Sequence, residues 1–136
     1  MPTVSLTYEG SLRTRLVHEK SGSPLQTDAP VDNHGKGEAF SPTDLVAAAL
    51  ISCMVTVMGI LAESKGFDMG KVTGSVNKIM GENPRRITEL DLVLNFSNPN
   101  LSQKERQMLE NTAMKCPVAK SIHPEIIVQV RFNYPA

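Results

Sequence analysis

The longest apolar stretch of the chain is residues 45–62, which carry no charge and have Cys53 near their middle. Ser41 before this stretch is a suitable helix N-cap, and Gly66 after it is a typical C-terminal stop. The pattern predicts a helix over 42–65 that is apolar around nearly its whole circumference. Such a helix must be enclosed on all sides, by lipid or by protein.

The apolar stretch is just long enough to be considered as a membrane span, for which about 18 residues are needed. Ser52, Thr56 and Gly59 interrupt it, and no aromatic belt or basic cluster flanks it. These features favour a buried helix of a water-soluble protein over a single-span membrane protein. We therefore expect no membrane partner.

The residues before the helix alternate between apolar and polar positions. This alternation predicts strands at 3–8, 12–18 and 25–28, separated by glycine- and serine-containing turns. An irregular loop over 29–40 then leads into the helix. Residues 1–40 are therefore expected to form an antiparallel meander followed by a loop.

After the helix, two alternating segments predict a β-hairpin over 70–97. Two short helices over 102–122 follow, and a strand over 125–134 ends the chain. The order of elements predicts one α+β domain, 1–136, with a mostly antiparallel sheet. The second strand of the hairpin has an apolar face made of Leu90, Leu92, Leu94 and Phe96.

A sheet with one apolar face covers only one side of the central helix. The other side needs a second apolar surface, and the simplest source is a second copy of the chain. The sequence therefore predicts a homodimer in which the two central helices are paired.

Composition excludes several other partners. The chain has 14 basic and 14 acidic residues, no Trp, two Tyr and four Phe. With neither a basic stripe nor enough aromatic platforms, a nucleic-acid partner is not expected. The N-terminal residues lack a basic segment followed by an apolar one, so we expect a cytoplasmic protein. In that compartment two cysteines serve packing or chemistry rather than a structural disulfide.

The candidate reactive groups are Cys53 and Cys116. In the middle of an apolar helix, Cys53 is readily explained as a small packing residue. Cys116 lies at the junction of two predicted helices, where the start of the second helix, Lys115 and Lys120 favour a thiolate. No C-x-x-C motif is present. The two cysteines are compatible with a peroxidatic and resolving pair if the fold brings them together.

No metal or cofactor site is indicated. The histidines show none of the clustered spacings of zinc sites, and the glycines around Lys36 lack the spacing of a phosphate-binding loop. The acidic residues near the 29–40 loop could be taken for an acid pair, but they are interpreted as ordinary loop carboxylates. The histidines are His18, His34 and His123, and the acidic residues are Asp28, Asp32 and Glu38.

Two motifs resemble those of the OsmC/Ohr superfamily, the osmotically induced and organic-hydroperoxide-resistance proteins. These are S-P-T-D-L-V-A-A-A-L-I-S-C at 41–53 and K-C-P-V-A-K-S-I at 115–122. T-D-A-P at 27–30 and G-K-G-E-A-F-S-P at 35–42 resemble the OsmC-like branch. The resemblance covers essentially the whole chain, in the right order.

The resemblance implies a swapped homodimer, with mostly antiparallel sheets wrapped around two long central helices. It also implies thiol-dependent reduction of hydroperoxides. By motif position, Cys53 attacks the peroxide and becomes a sulfenic acid, and Cys116 condenses with it to a disulfide. A family arginine from the N-terminal strands holds the thiolate. Arg13 and Arg15 both match it, and the spacing leaves both open.

The chain departs from the peroxidase members at one position. These carry a glutamate directly after the helix-starting proline, which positions the arginine, whereas this chain has Thr43 there and Asp44 next. A displacement by one residue rotates a helical side chain by about 100°. Either Asp44 replaces the glutamate or the arginine is not poised.

Two functions follow. The first is a hydroperoxide reductase with an apolar pocket at the dimer interface, which takes a hydroperoxide or another small apolar ligand and is recycled by a dithiol reductant. The alternative is an OsmC-like binding or stress protein without efficient turnover.

Overall fold

The computed structural model describes all residues, 1–136, and has α+β architecture. The chain divides into two compact units, Met1–Val46 (unit 1) and Ala47–Ala136 (unit 2). The elements in chain order are β1 (Val4–Gly10), β2 (Arg13–His18), β3 (Pro24–Asp28), α1 (Pro42–Lys65), β4 (Val72–Gly81), β5 (Arg86–Phe96), α2 (Gln103–Ala113), α3 (Pro117–Ser121) and β6 (Ile127–Asn133). A single 3₁₀ turn, Val31–Asn33, lies between β3 and α1.

Unit 1 contains the predicted antiparallel meander, with strand order β1-β2-β3. Leu6 pairs with Leu16, and Leu16 pairs with Leu25, so the three leucines share one face of the sheet. This face remains open within the chain, where Leu6 is 60% exposed. The side chains that unit 1 buries are polar instead, namely Thr27, Asp28 and Ser41.

Helix α1 begins and ends where the sequence predicts. At its start, the Ser41 backbone N–H donates to Asp44 Oδ2 (3.0 Å), and the Asp44 N–H donates to Ser41 Oγ (3.1 Å). This reciprocal pair is a capping box with aspartate in the place of the usual glutamate. Gly66, with φ +77, ends the helix in the left-handed region.

Unit 2 contains the predicted hairpin, in which β4 and β5 are antiparallel. Strand β6 joins the other edge of β5 and is parallel to it. The sheet is therefore mixed, whereas the prediction specified only that most of it would be antiparallel. The reason is that α2 and α3 form a crossover, which returns the chain to the end of the sheet where β5 began.

The core of unit 2 lies between α1, the sheet and α2. The predicted apolar face of β5 is buried, and Leu109 and Ala113 of α2 pack into the same cluster. The opposite face of α1 is open within the chain, where Ile60 is 61% exposed. The buried α1 residues recur every three or four positions and are Ala47, Leu50, Met54, Met58 and Ala62.

By length and composition α1 is the one helix that qualifies as a candidate membrane span. The core helix of a soluble protein passes the same test, so this finding is weak evidence for a membrane. The packing of one α1 face against β5 and α2 favours the core interpretation.

The end of the chain is anchored on α2. The Tyr134 hydroxyl donates to Glu110 Oε2 (2.7 Å), and the Tyr134 ring stacks on Phe96 with centroids 4.8 Å apart. The Arg106 guanidinium lies over the other side of this system, 4.4 Å from the Tyr134 ring centroid. These contacts fix the crossover helix that leads to Cys116.

Candidate functional site

The fold brings Cys53 of α1 and Cys116 of the α2–α3 junction into contact. Their side chains are 3.5 Å apart, and both thiols are free. A covalent S–S bond is about 2.05 Å long, so the two cysteines lie in contact without a bond between them. The condition on which the sequence-based redox hypothesis depended, proximity of two distant cysteines, is therefore met.

The two thiols differ in exposure. Cys53 is half-buried. Of its helical neighbours one turn away on either side, Leu50 belongs to the core cluster and Val57 packs against it. Cys116 is only 1% exposed. The pair thus combines one thiol with partial access and one that is enclosed, in apolar surroundings.

Cys116 is the N-cap of α3, as the C-P dipeptide predicts. Its backbone is extended (φ −64, ψ 153), Pro117 occupies the first turn, and the Ala119 N–H donates to Cys116 Sγ at 3.4 Å. Proline has no N–H to lose at this position, and the residue before it is excluded from the helix. Local sequence alone therefore places this sulfur at a helix start.

Burial outweighs the predicted stabilisation of a Cys116 thiolate by the start of α3. Burial raises the pKa of the Cys116 thiol above its ordinary value, although the Ala119 N–H opposes that effect, and the neighbouring Cys53 raises the pKa further. The helix start does supply donors, as predicted, but the apolar enclosure is the larger influence. At neutral pH Cys116 is accordingly a protonated thiol.

Arg13 of β2 is bound by two carboxylates within unit 1. Its Nη2 lies 3.5 Å from Asp28 Oδ2 and also contacts Glu38 Oε1. Asp28 Oδ2 in addition accepts the Glu38 backbone N–H (2.9 Å), which ties the loop before α1 to the end of β3. Part of the positive charge of Arg13 is thus compensated by these partners.

The interpretation of Asp28 as an ordinary loop carboxylate is wrong, because Asp28 is the last residue of β3 and is buried. Asp28 is 1% exposed, and its Oδ1 is buried without a hydrogen-bond partner. It is buried because β3 pairs Asp28 with Arg13 across the strands. Only the strand register reveals this pairing, which is why sequence reasoning missed it.

The other predicted site residues lie elsewhere in unit 1. Arg15 is exposed and lines a surface depression of about 360 Å³ together with Glu9 and Gln26. The Asp44 carboxylate caps α1 through Ser41. The roles of Arg13, Arg15 and Asp44 toward the thiols stay predictions.

No group of three or more His, Cys, Asp and Glu side chains is placed to hold a metal ion. The arrangement of groups in unit 2 points to thiol chemistry, because two free cysteines lie in contact, one on a long helix and one at a helix start.

Comparison with known proteins places these features in a class. The family model described as OsmC-like protein matches residues 35–131, which include both cysteines. The chain therefore belongs to the OsmC-like family, and the sequence-based resemblance is confirmed. Among the curated proteins no match was found.

Solved structures agree with this assignment. A putative osmotic stress induced and detoxification response protein from Psychrobacter arcticus is 47% identical, with a TM-score of 0.93 over 98% of this chain and 96% of that chain. An organic hydroperoxide resistance protein from Elizabethkingia anophelis is 18% identical, with a TM-score of 0.76 over 99% of this chain and 98% of that chain. The organic hydroperoxide resistance protein OhrB of Bacillus subtilis is 20% identical, with a TM-score of 0.65 over 97% and 96%. The last two show likeness of fold alone.

Proposed function

We propose that this protein reduces organic hydroperoxides, with Cys53 as the peroxidatic and Cys116 as the resolving cysteine. The observation that carries the proposal is the 3.5 Å contact between a half-buried and a fully buried thiol. The partly accessible sulfur is suited to meet a substrate, and the enclosed one is suited to capture the oxidised product before it reacts further.

Two steps follow. The Cys53 thiolate attacks one peroxide oxygen, the O–O bond breaks, and the alcohol leaves after taking up a proton, so that Cys53 becomes a sulfenic acid. The Cys116 sulfur then attacks the Cys53 sulfur, the S–O bond breaks, and water leaves. The peroxide gains the two electrons that the two thiols lose. The two residues, 3.5 Å apart, must move closer until their sulfurs reach the disulfide bond length of about 2.05 Å.

Apolar surroundings favour an organic over an inorganic peroxide. Leu50 and Val57 flank Cys53 on its helix. Burying the alkyl or aryl part of a hydroperoxide contributes about 25 cal/mol per Å² of apolar surface, a gain that hydrogen peroxide lacks. A dithiol would then return the disulfide to two thiols, in keeping with a reducing, cytoplasmic setting.

The homodimer is part of the same proposal. Two apolar surfaces are open within the chain: the leucine face of β1–β3 in unit 1, and the face of α1 that carries Ile60. A second copy would cover both, in the swapped arrangement that the family resemblance implies. Sedimentation should give a dimer, and a stable, well-folded monomer at micromolar concentration would contradict this.

One observation favours the alternative, an OsmC-like binding protein without efficient turnover. Arg13 is engaged by Asp28 and Glu38, and Thr43 replaces the family glutamate. A thiol in an apolar site needs a nearby cation to become a nucleophile at neutral pH. If neither Arg13 nor Arg15 supplies it, the thiols bind or pack but react slowly.

Thiol titration separates the two functions. Cumene hydroperoxide added to the reduced protein should consume both thiols of each chain and form an intrachain disulfide. Cys53→Ser should abolish peroxide consumption, whereas Cys116→Ser should let a sulfenic acid accumulate and over-oxidise. Ser75→Ala, at an exposed position of β4, is the control and should behave as wild type. An unchanged thiol titre would favour the binding protein.

The arginine is tested by the pH profile of iodoacetamide reaction at Cys53. Lowering a thiol pKa from about 8.5 to about 6.5 takes roughly 2.7 kcal/mol. If one arginine provides this, its change to Ala should raise the reaction midpoint by a unit or more, and the other change should be nearly silent. If Asp44 orients the arginine, Asp44→Ala should also raise the reaction midpoint. Thr43→Glu should lower the midpoint, because it restores the glutamate that positions the arginine in the peroxidase members. A wild-type midpoint at or above 8.5, unmoved by either arginine change, would rule out a poised site.

A further inference from the structure

We propose that the thiol that regenerates the protein forms its mixed disulfide at Cys53 and expels the Cys116 sulfur, to which the Ala119 N–H donates. The inference rests on the proposed Cys53–Cys116 disulfide and adds which of its two sulfurs is attacked. The site of attack defines where a reductant must dock, on the side of α1 rather than at the α2–α3 junction.

Access is the first argument. A thiolate attacks a disulfide sulfur in line with the S–S bond, so the attacked sulfur must be open on the side opposite its partner. Cys116 is 1% exposed within its own chain, whereas Cys53 is half-buried. A partner subunit can only remove further surface, so assembly cannot open Cys116. Of the two sulfurs, only Cys53 has surface within the chain from which a reductant can approach, and the proposed dimer must leave part of that surface open.

The leaving sulfur is the second argument. When Cys53 is attacked, negative charge develops on the Cys116 sulfur. The Ala119 N–H already donates to that sulfur at 3.4 Å, because Cys116 is the N-cap of α3. A donor that is in place before the reaction stabilises the leaving thiolate without further rearrangement.

One effect opposes this direction of cleavage. Burial raises the pKa of the Cys116 thiol, and a thiol of higher pKa leaves more slowly. Enclosure of the attacked sulfur prevents attack altogether, so access outweighs the leaving-group effect.

The exchange balances as follows. The attacking thiolate forms a bond to Cys53 Sγ, and the Cys53–Cys116 bond breaks with its electron pair on Cys116. Cys116 takes up a proton. If the reductant is a dithiol, its second thiol attacks its own sulfur in the mixed disulfide and releases Cys53. The reductant loses two electrons, and the protein regains two thiols.

The experiment uses wild-type protein, so no variant has to fold. Reduced protein is oxidised with diamide, which accepts two electrons and two protons from the thiols and needs no peroxidase activity. It is then exposed briefly to 2-mercaptoethanol, acidified to stop exchange, unfolded in guanidinium with excess N-ethylmaleimide so that the buried Cys116 thiol is alkylated, and digested with trypsin. Cleavage after Lys36, Lys65, Lys115 and Lys120 separates the two cysteines into peptides 37–65 and 116–120.

The expected product carries 2-mercaptoethanol on peptide 37–65 and maleimide on peptide 116–120, in at least about ten-fold excess over the reverse product. The control is the same oxidised protein in denaturing guanidinium, where the preference should disappear because both sulfurs are then exposed. An adduct mainly on peptide 116–120, an even distribution in the folded protein, or a preference that persists in denaturant would overturn the inference.

Failure of the inference is distinguishable from failure of the proposed function. Peroxide consumption is measured on the same preparation without diamide. Diamide-oxidised protein that is attacked at Cys53 but is inert toward cumene hydroperoxide supports the inference and contradicts the peroxidase proposal. Conversely, peroxide consumption with adducts on Cys116 contradicts the inference alone. If diamide forms no intrachain disulfide, the inference is also wrong.

Discussion

The two compact units differ in what they bury. Every buried apolar side chain belongs to unit 2, between Ala47 and Cys116, and every buried polar side chain belongs to unit 1, between Thr27 and Ser41. Unit 2 has a core of helix packed on sheet. Unit 1 is held by strand hydrogen bonds and by the contacts of Asp28 with Arg13 and Glu38.

This difference separates the two thiols, which lie in unit 2, from the predicted arginines, which lie in unit 1. An apolar core holds two sulfurs at a fixed separation, but it disfavours their charged forms, as the raised pKa of Cys116 illustrates. No cationic side chain is among the buried residues. The two arginines predicted to serve a thiolate, Arg13 and Arg15, belong to the unit that lacks an apolar core, and their role toward the thiols stays a prediction.

The largest expected effect comes from breaking the core of unit 2. Leu92 is buried on β5 within the cluster that α1 covers. Leu92→Ala should lower the free energy of unfolding by about 2–5 kcal/mol, measured by urea titration. Val93→Ala, at the neighbouring position on the other face of the strand, is the control and should cost less. Equal costs would mean that the buried face of β5 does not dominate the stability.

Breaking the charged pair of unit 1 should have the next largest effect. Arg13→Ala leaves the carboxylate of Asp28 buried without its cation and should cost about 2–4 kcal/mol. The estimate is below that for a fully buried pair, because the Arg13 side chain is 30% exposed and solvent screens part of the interaction.

The matched control is Arg15→Ala, on the same strand but exposed, which should stay within about 0.5 kcal/mol of wild type in the same urea titration. Combining Arg13→Ala with Asp28→Asn should cost less than the sum of the single changes, because the neutral amide no longer needs the cation. Strict additivity would show that the two side chains act independently.

A change on the open face of unit 1 tests whether a second copy covers it. Leu6→Ala removes apolar surface from the exposed leucine face and, if that face lies in the proposed dimer, should weaken association by about 1–2 kcal/mol. Sedimentation over a concentration series measures the dissociation constant. Thr7→Ala, on the opposite face of β1, should leave it unchanged. An unaltered constant for Leu6→Ala would place the interface elsewhere.

The smallest expected effect is the pH dependence that Cys116 adds to unit 2. Its folded pKa is raised, so below the unfolded thiol pKa of about 8.5 both states keep the proton and the contribution to stability is complete. Above that pH the unfolded chain releases its proton first. Stability should therefore fall as pH rises, by at most about 1.4 kcal/mol per pH unit.

Urea titrations of reduced protein at pH 7.5 and 9.5 check this sign. Cys116→Ser removes the thiol but retains a side chain that caps α3 well, so its stability should decline less between the two pH values. The same decline in both proteins would show that Cys116 does not titrate differently on folding.

Several features could be predicted because they depend on neighbouring residues only. The bounds of α1 follow from Ser41, Gly66 and an apolar run, and the helix start is closed by hydrogen bonds over three residues. The buried face of β5 follows from strict alternation. Cys116 could be recognised as a helix N-cap because Pro117 fixes the backbone next to it. In each case the residues that determine the feature are only a few positions apart, so the pattern can be recognised in the sequence.

The remaining features depend on which distant segments meet. The burial of Asp28 depends on the register that places it opposite Arg13, and a shift of that register by one residue would turn its side chain to the other face. The parallel pairing of β6 depends on the path of the α2–α3 crossover. The contact between Cys53 and Cys116 arises because α1 packs against that crossover in one core. Long-range packing leaves no periodic or local signal, so only the tertiary structure decided that the two thiols meet.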